Sequence, residues 1–295
     1  MRQEGVSVLI SKVPHSKAVV VLVHGMQEYS DRYANFCKYL TSQGYSCIRY
    51  DLLGHGKKLP PKERGYFGKN GWNQLIQQLH QQVQQAHLRF PNQKVILFGH
   101  SMGTIIIRSY LQRYQDFDGM ILSGVPYYNP LWRVGKLLSK AIISFKGSHN
   151  TSRLLTKLTT GGFNKKISHP LTKFDWLCHN QVDVRSYIRD VACGFPFTNQ
   201  GYSDLYDGMG KLGKLRHFTS KHPVPILFLN GADDPCAGNK SQVKSSFEML
   251  RNAGYRDATL KIYQKMRHEI LFEKDASEVK QDIVNWLDQR FKKRD

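Results

Sequence analysis

Acidic residues are scarce in this sequence. Asp and Glu number 23 against 43 Lys and Arg, leaving a formal net charge of +20 over 295 residues. Such a field draws nucleic acid, anionic lipid or acidic substrates, although a solvated basic surface needs no partner at all. Zinc-finger spacing, RNP-like aromatic motifs and a basic zipper are all missing, so no nucleic acid is expected. A basic surface remains, with peripheral contact to an anionic membrane as its functional version. Long apolar runs are also lacking. No stretch reaches the roughly 18 apolar residues of a membrane-spanning helix. The opening MRQEGVSVLI has no apolar run behind Arg2, so no secretory signal is expected. Cysteine is sparse: Cys37, Cys47, Cys178, Cys193 and Cys236 are odd in number, far apart and never form C-x-x-C. They read as reduced thiols of a cytoplasmic protein, which sets aside a disulfide frame or a zinc site. With no H-E-x-x-H or clustered ligand set, no metal is expected.

What is present alternates. Apolar runs at Ala18–Gly25, Cys47–Gly56, Lys94–Gly99, Gly119–Gly124, Val224–Gly231 and Thr259–Gln264 read as strands, the first as a buried parallel one. Between them lie helical patterns. NQLIQQLHQQVQQAHLRF puts Leu75, Leu79, Val83 and Ala86 on one face, with the glutamines read as its wet side. ASEVKQDIVNWLDQRFKK closes the chain as an amphipathic helix. Strands alternating with helices predict an α/β fold with a mostly parallel sheet.

The alternation breaks between Val125 and about Gln200. Short helical patterns such as LWRVGKLLSKAIISF take over, aromatics recur, and bases outnumber acids. Residues 125–200 are therefore expected to form an inserted helical cap, with 1–124 and 201–295 as the core.

Gly99-His100-Ser101-Met102-Gly103 matches G-x-S-x-G with a strand before it and a helix after it. A sharp strand-to-helix turn strains the serine backbone, and bulky residues two positions away would collide with the turn. Glycine at both flanks relieves this and lifts the hydroxyl above the sheet. A serine nucleophile needs a base and an orienting acid. His268 follows the last strand, in KMRHEILFE, and is the base candidate. Asp233 or Asp234, in ADDPCAGN, is the acid, and spacing alone leaves both open. His24, His55 and His100 also lie at strand ends, but inside glycine motifs that suggest structural or pocket-lining roles. GMGKLGK, Gly208–Lys214, imitates a phosphate loop, but Leu215 stands where Ser or Thr is required, so it reads as an ordinary loop.

Five segments, VVLVHGMQEYSDRY, YDLLGHG, LFGHSMG, LNGADDP and RHEILFE, resemble the monoacylglycerol lipase and bacterial lysophospholipase branch of the α/β-hydrolases. That family is also grouped with serine aminopeptidase-like sequences. The resemblance runs from Val6 to the last helix. It implies an α/β-hydrolase fold and a cofactor-free serine hydrolase cleaving acyl esters such as monoacylglycerols or lysophospholipids. The family's G-x-x-D pattern implies Asp234 as the acid. The same pattern assigns oxyanion N–H groups to Met26 and Met102. It also places Glu28 and Arg32 near the site, to order the loop or meet a polar head group. CGFPFTNQGYSDLYDGM is similar to bacterial members, and its Tyr202 would face the pocket or pack. Two positions depart from the pattern: Lys57-Lys58 stand where a small hydroxyl residue is common, and Tyr29 replaces a histidine. Two other readings compete. An aminopeptidase would need acids to hold a free amine, for which Glu28, paired with Arg32, is the one candidate. A binding module without turnover would have no use for His268.

Overall fold

The computed structural model describes residues 7–214, 218 and 223–291. Seven strands form one sheet in the order β1-β3-β2-β4-β5-β6-β7. They are β1 (Val8–Ser11), β2 (Val19–Val23), β3 (Ser46–Tyr50), β4 (Val95–His100), β5 (Gly119–Ser123), β6 (Ile226–Gly231) and β7 (Ala258–Tyr263). All neighbours are parallel except β1, which pairs antiparallel with β3. β1 was not read from the sequence because its apolar run, Val8, Leu9 and Ile10, is only three residues long; in the fold these side chains are partly exposed on an edge strand.

The continuous apolar runs are explained by burial on both faces. In β2, Val19, Val21 and Val23 enter one core while Val20 and Leu22 enter the other; Val95 and Leu97 of β4 part from Ile96 and Phe98 in the same way. Each such side chain contributes roughly 1.5–3 kcal/mol when fully buried. The first core is closed by α2 (Gly71–Arg89), α3 (Met102–Leu111), α7 (Asn199–Leu212) and α8 (Lys240–Asn252). The second is closed by α1 (Ala34–Ser42) and α9 (Ala276–Phe291). The result is a three-layer α/β-hydrolase fold.

Chain order sets where a site can form. From β2 the chain crosses to β3 on one side and next to β4 on the other. The loops after β2 and β4 therefore diverge, opening a crevice at the carboxyl ends of the strands. Between β5 and α7 the chain leaves the sheet and builds α4 (Trp132–Lys146), α5 (Arg153–Thr159) and α6 (Gln181–Arg189).

Two sequence expectations need correction. GMGKLGK is not a loop: Gly208 and Gly210 lie inside α7, while Leu215 falls outside the described residues. The glycines are there for packing. A Cβ on Gly208 would lie 2.2 Å from the Trp72 ring, and one on Gly210 2.8 Å from the Trp132 ring. Nor are the α2 glutamines all on its wet side. Buried Gln78 accepts from Leu53 N at 3.1 Å and donates to Asp51 O at 3.0 Å, pinning the loop after β3.

Candidate active site

β4 ends at His100 and α3 begins at Met102, which leaves Ser101 alone to make the turn. Its backbone sits at φ 50°, ψ −116°, a conformation that costs a non-glycine residue about 1–3 kcal/mol. The surroundings enforce it. Ser101 N donates to Ser123 O of β5 at 2.9 Å, and Thr104 N donates to Ser101 O at 2.9 Å. The flanking glycines are demanded by backbone: a Cβ on Gly103 would lie 2.2 Å from Val23 O, and one on Gly99 2.9 Å from the carbonyl carbon of Gly103.

Three side chains from three strand ends meet in one line. His268 Nε2 lies 2.8 Å from Ser101 Oγ, and His268 Nδ1 lies 2.9 Å from Asp234 Oδ2. Asp234 Oδ1 accepts from Cys236 N at 2.8 Å. His268 and Asp234 are buried, at 1% and 2% exposure. Asp233, the other acid that spacing allowed, has a half-exposed side chain 3.4 Å from His179. Burial pulls the His268 imidazole down, but the charge and hydrogen bond of Asp234, with smaller contributions from Glu269 and Glu28, leave it above the ordinary histidine value. His100 differs although its ring is 4.8 Å away: burial, reinforced by His268, takes it down to about 3, so it stays neutral. A hydroxyl bonded to an imidazole that is itself held by a buried carboxylate is arranged to pass its proton to that imidazole.

Met26 and Met102 both border the cavity beside Ser101. Met102 opens α3, in the turn whose N–H groups find no partner within the helix. Met26 belongs to the Gly25–Gln27 loop, which is held from two sides. Glu28 Oε1 accepts from Gly25 N at 2.5 Å and from Tyr33 Oη at 2.8 Å. The carbonyl of Gln27, itself left-handed at φ 60°, accepts from Tyr187 Oη at 2.8 Å and Gly194 N at 2.9 Å. Beneath them Arg32 bridges Glu28 and Glu269, and its side chain is 9% exposed. Glu28 also borders the cavity, whereas Arg32 does not.

The cavity above Ser101 has a volume of about 480 Å³ and is walled by apolar groups of α3, α4, α7 and the chain between α5 and α6, among them Ile105, Trp132, Phe163, Trp176 and Met209. The Trp176 ring stands 5.0 Å from the His268 ring. Tyr202 is absent from these walls. It is fully buried, donates to Thr156 Oγ1 at 2.9 Å and packs on Phe197. The two departures from the family pattern meet away from the cavity. Lys57 lies over the Tyr29 ring at 5.1 Å, and Tyr29 donates to Asp190 at 2.7 Å. Burial helps push the Tyr29 hydroxyl up to about 12. His24 and His55 serve the loops: His24 Nε2 accepts from Leu52 N at 2.9 Å, and His55 stacks on Phe67. Among the described residues no group of three His, Cys, Asp or Glu is placed to hold a metal ion.

The contribution of Glu269 was missed in the sequence, although an acid next to the base candidate in an acid-poor chain was a usable signal. Tyr187 carried no such signal, because its contact spans 160 residues.

The sequence matches the Hydrolase_4 family, described as serine aminopeptidase, S33, over residues 14–275. It is 24% identical to the monoglyceride lipase of Homo sapiens over 282 residues, covering 93% of this chain and 83% of that protein. It is 23% identical to the monoacylglycerol lipase of Mycolicibacterium smegmatis over 275 residues, covering 92% of this chain and 88% of that one. The crystal structure of a thermostable carboxyl esterase from Bacillus coagulans superposes with a TM-score of 0.89 at 23% identity, covering 97% of this chain and 94% of that one. With the family match spanning most of its length, this chain belongs to the serine aminopeptidase S33 family of the α/β-hydrolases.

Proposed function

We infer that this protein is a serine carboxylester hydrolase acting on small acyl esters, with monoacylglycerols or lysophospholipids as the substrate class. The observation that carries the reading is the Ser101–His268–Asp234 line at the floor of a largely apolar cavity. In this mechanism Ser101 Oγ attacks the ester carbonyl while His268 Nε2 takes its proton. Asp234 holds the imidazole tautomer and stabilises the imidazolium. The N–H groups of Met26 and Met102 receive the developing oxyanion, each such donor being worth about 10²–10³ in rate. His268 then protonates the departing alcohol and activates the water that hydrolyses the acyl-enzyme. The lipase and esterase names of the relatives support the same bond class.

An aminopeptidase reading fares worse, despite the family description. The acids bordering the cavity, Glu28 and Glu269, are both engaged by Arg32, so neither is left to hold a substrate amine. A panel of p-nitrophenyl esters from acetate to palmitate, run beside aminoacyl p-nitroanilides, separates the two. Ester turnover with an optimum beyond acetate is expected, since the apolar walls reward chain burial at about 0.8 kcal/mol per CH₂. Turnover confined to the anilides would sink the proposal.

The membrane partner belongs to the same reading. On α4 and just before it, Leu131, Val134 and Leu137 are more than 60% exposed, and the first two also border the cavity. Bases Arg133 and Lys140 stand on the same helix. Apolar side chains at the entrance with basic neighbours suit an anionic lipid surface. Binding to anionic vesicles should weaken as salt rises toward 1 M, where the screening length falls to about 3 Å. Equal binding to neutral vesicles would remove this part of the proposal.

A further inference from the structure

Behind the Ser101 line lies a second polar group that the hydrolytic steps do not use. Arg32 Nη1 reaches Glu28 Oε2 and Glu269 Oε1, both at 2.6 Å, and Arg32 Nη2 reaches Glu269 Oε2 at 2.8 Å. The guanidinium also lies over the rings of Phe272, at 4.2 Å, and Tyr187, at 4.9 Å. All three charged side chains are below 10% exposure. Burying three charges is costly, and such groups rarely stabilise a fold better than apolar residues would. Their placement suggests what they do instead. Glu28 grips Gly25 N, one residue before the Met26 donor, whereas Glu269 follows His268 directly. One guanidinium thus connects the two loops whose spacing sets the distance between base and oxyanion donors.

We propose that Glu28, Arg32 and Glu269 act together as positioning residues: Arg32 locks the oxyanion loop to the loop of His268, and the surplus negative charge stands behind the imidazolium. This rests on the hydrolase reading above. Two carboxylates on one guanidinium leave a net charge of −1, because Arg32 stays protonated: burial pulls it down, but Glu269 and Glu28 more than offset that. Among the described residues, the other groups near His268 leave this charge standing: the adjacent Arg267 turns its guanidinium to the carbonyls of Asp175 and Cys178. Asp234 adds to it, and His100 is neutral. The thiols of Cys178 and Cys236 are raised, chiefly by burial, and so stay uncharged. Lys166 is an exposed side chain at the cavity border.

The sign follows from the role of the base. His268 must be neutral to accept the Ser101 proton, so kcat/KM falls as pH drops through its pKa. Glu269→Gln keeps the shape of the side chain and removes one negative charge, which destabilises the imidazolium. The acidic limb of the kcat/KM profile should therefore move to lower pH, by roughly half a unit or more. Arg32→Lys keeps the charge but loses the two-pronged grip on Glu269. It should lower kcat roughly tenfold or more through misplacement of the loops, with the limb unmoved. It also answers the case in which Glu269→Gln does not fold. A Glu269→Gln limb that stays put or moves to higher pH overturns the electrostatic half; unchanged kcat in Arg32→Lys overturns the positioning half. Failure of the hydrolase reading looks different, because the wild-type protein would then show no Ser101-dependent ester turnover to profile.

Discussion

Ser101→Ala is expected to lower ester turnover by about 10⁵–10⁶-fold, with the fold and its unfolding midpoint nearly unchanged. The change removes one oxygen from a half-buried position at the cavity floor and leaves the backbone hydrogen bonds of the turn in place. Alanine has the same Cβ as serine and fits where serine fits, so the strain at φ 50° is retained, not relieved. Without Oγ, His268 has no hydroxyl to deprotonate and no acyl-enzyme can form. Binding and the oxyanion N–H groups would still give a residual rate over water. Circular dichroism and thermal unfolding beside the ester assay provide the check. A variant that keeps more than a tenth of wild-type turnover would mean that another group is acylated.

The second large effect separates adjacent acids. Asp234→Asn should lower kcat by roughly 10⁴-fold, the scale seen when the orienting carboxylate of a Ser-His-Asp group is replaced by its amide. The amide cannot fix the tautomer in which His268 Nδ1 carries the proton, nor can it balance the imidazolium. Asp234 also accepts from Cys236 N, an interaction the asparagine oxygen can retain, so the loop should persist. Asp233→Asn touches a half-exposed side chain whose neighbour is His179 at 3.4 Å, and should leave kcat within a factor of about two, as expected of a weak surface pair. Equal loss in both variants would point to a shared structural role for the loop. A larger loss in Asp233→Asn would reverse the assignment.

Both predictions rest on residues that stand out in the sequence for a physical reason. G-x-S-x-G is legible because its glycines are demanded by backbone contacts of less than 3 Å, which no other residue satisfies. The strands are legible because burial on both faces makes continuous apolar runs, as at Ala18–Val23. β1 offers only three apolar residues in a row, Val8, Leu9 and Ile10, too few to stand out as a strand. Asp234 could be told from Asp233 only through the family resemblance or in three dimensions, since both follow the same strand end. The packing of Tyr202 on Phe197 and Thr156 depends on the position of α5, which no local pattern gives. The buried Gln78 and the helical Gly208 show the same limit: a polar or flexible residue reads as exposed or looped until its partner is known. Arg32 is placed near the site by the family resemblance alone. Its burial follows from Glu269, 237 positions away.

In the proposed reaction Ser101 Oγ is the atom that becomes acylated. Intact-mass and peptide analysis after treatment with a long-chain fluorophosphonate identifies that atom's residue. One adduct per chain is expected, carried by Ser101, together with complete loss of ester turnover and no adduct on Ser101→Ala. Wild-type protein that hydrolyses esters while Ser101 stays unmodified, or that carries its adduct on another residue, would contradict it.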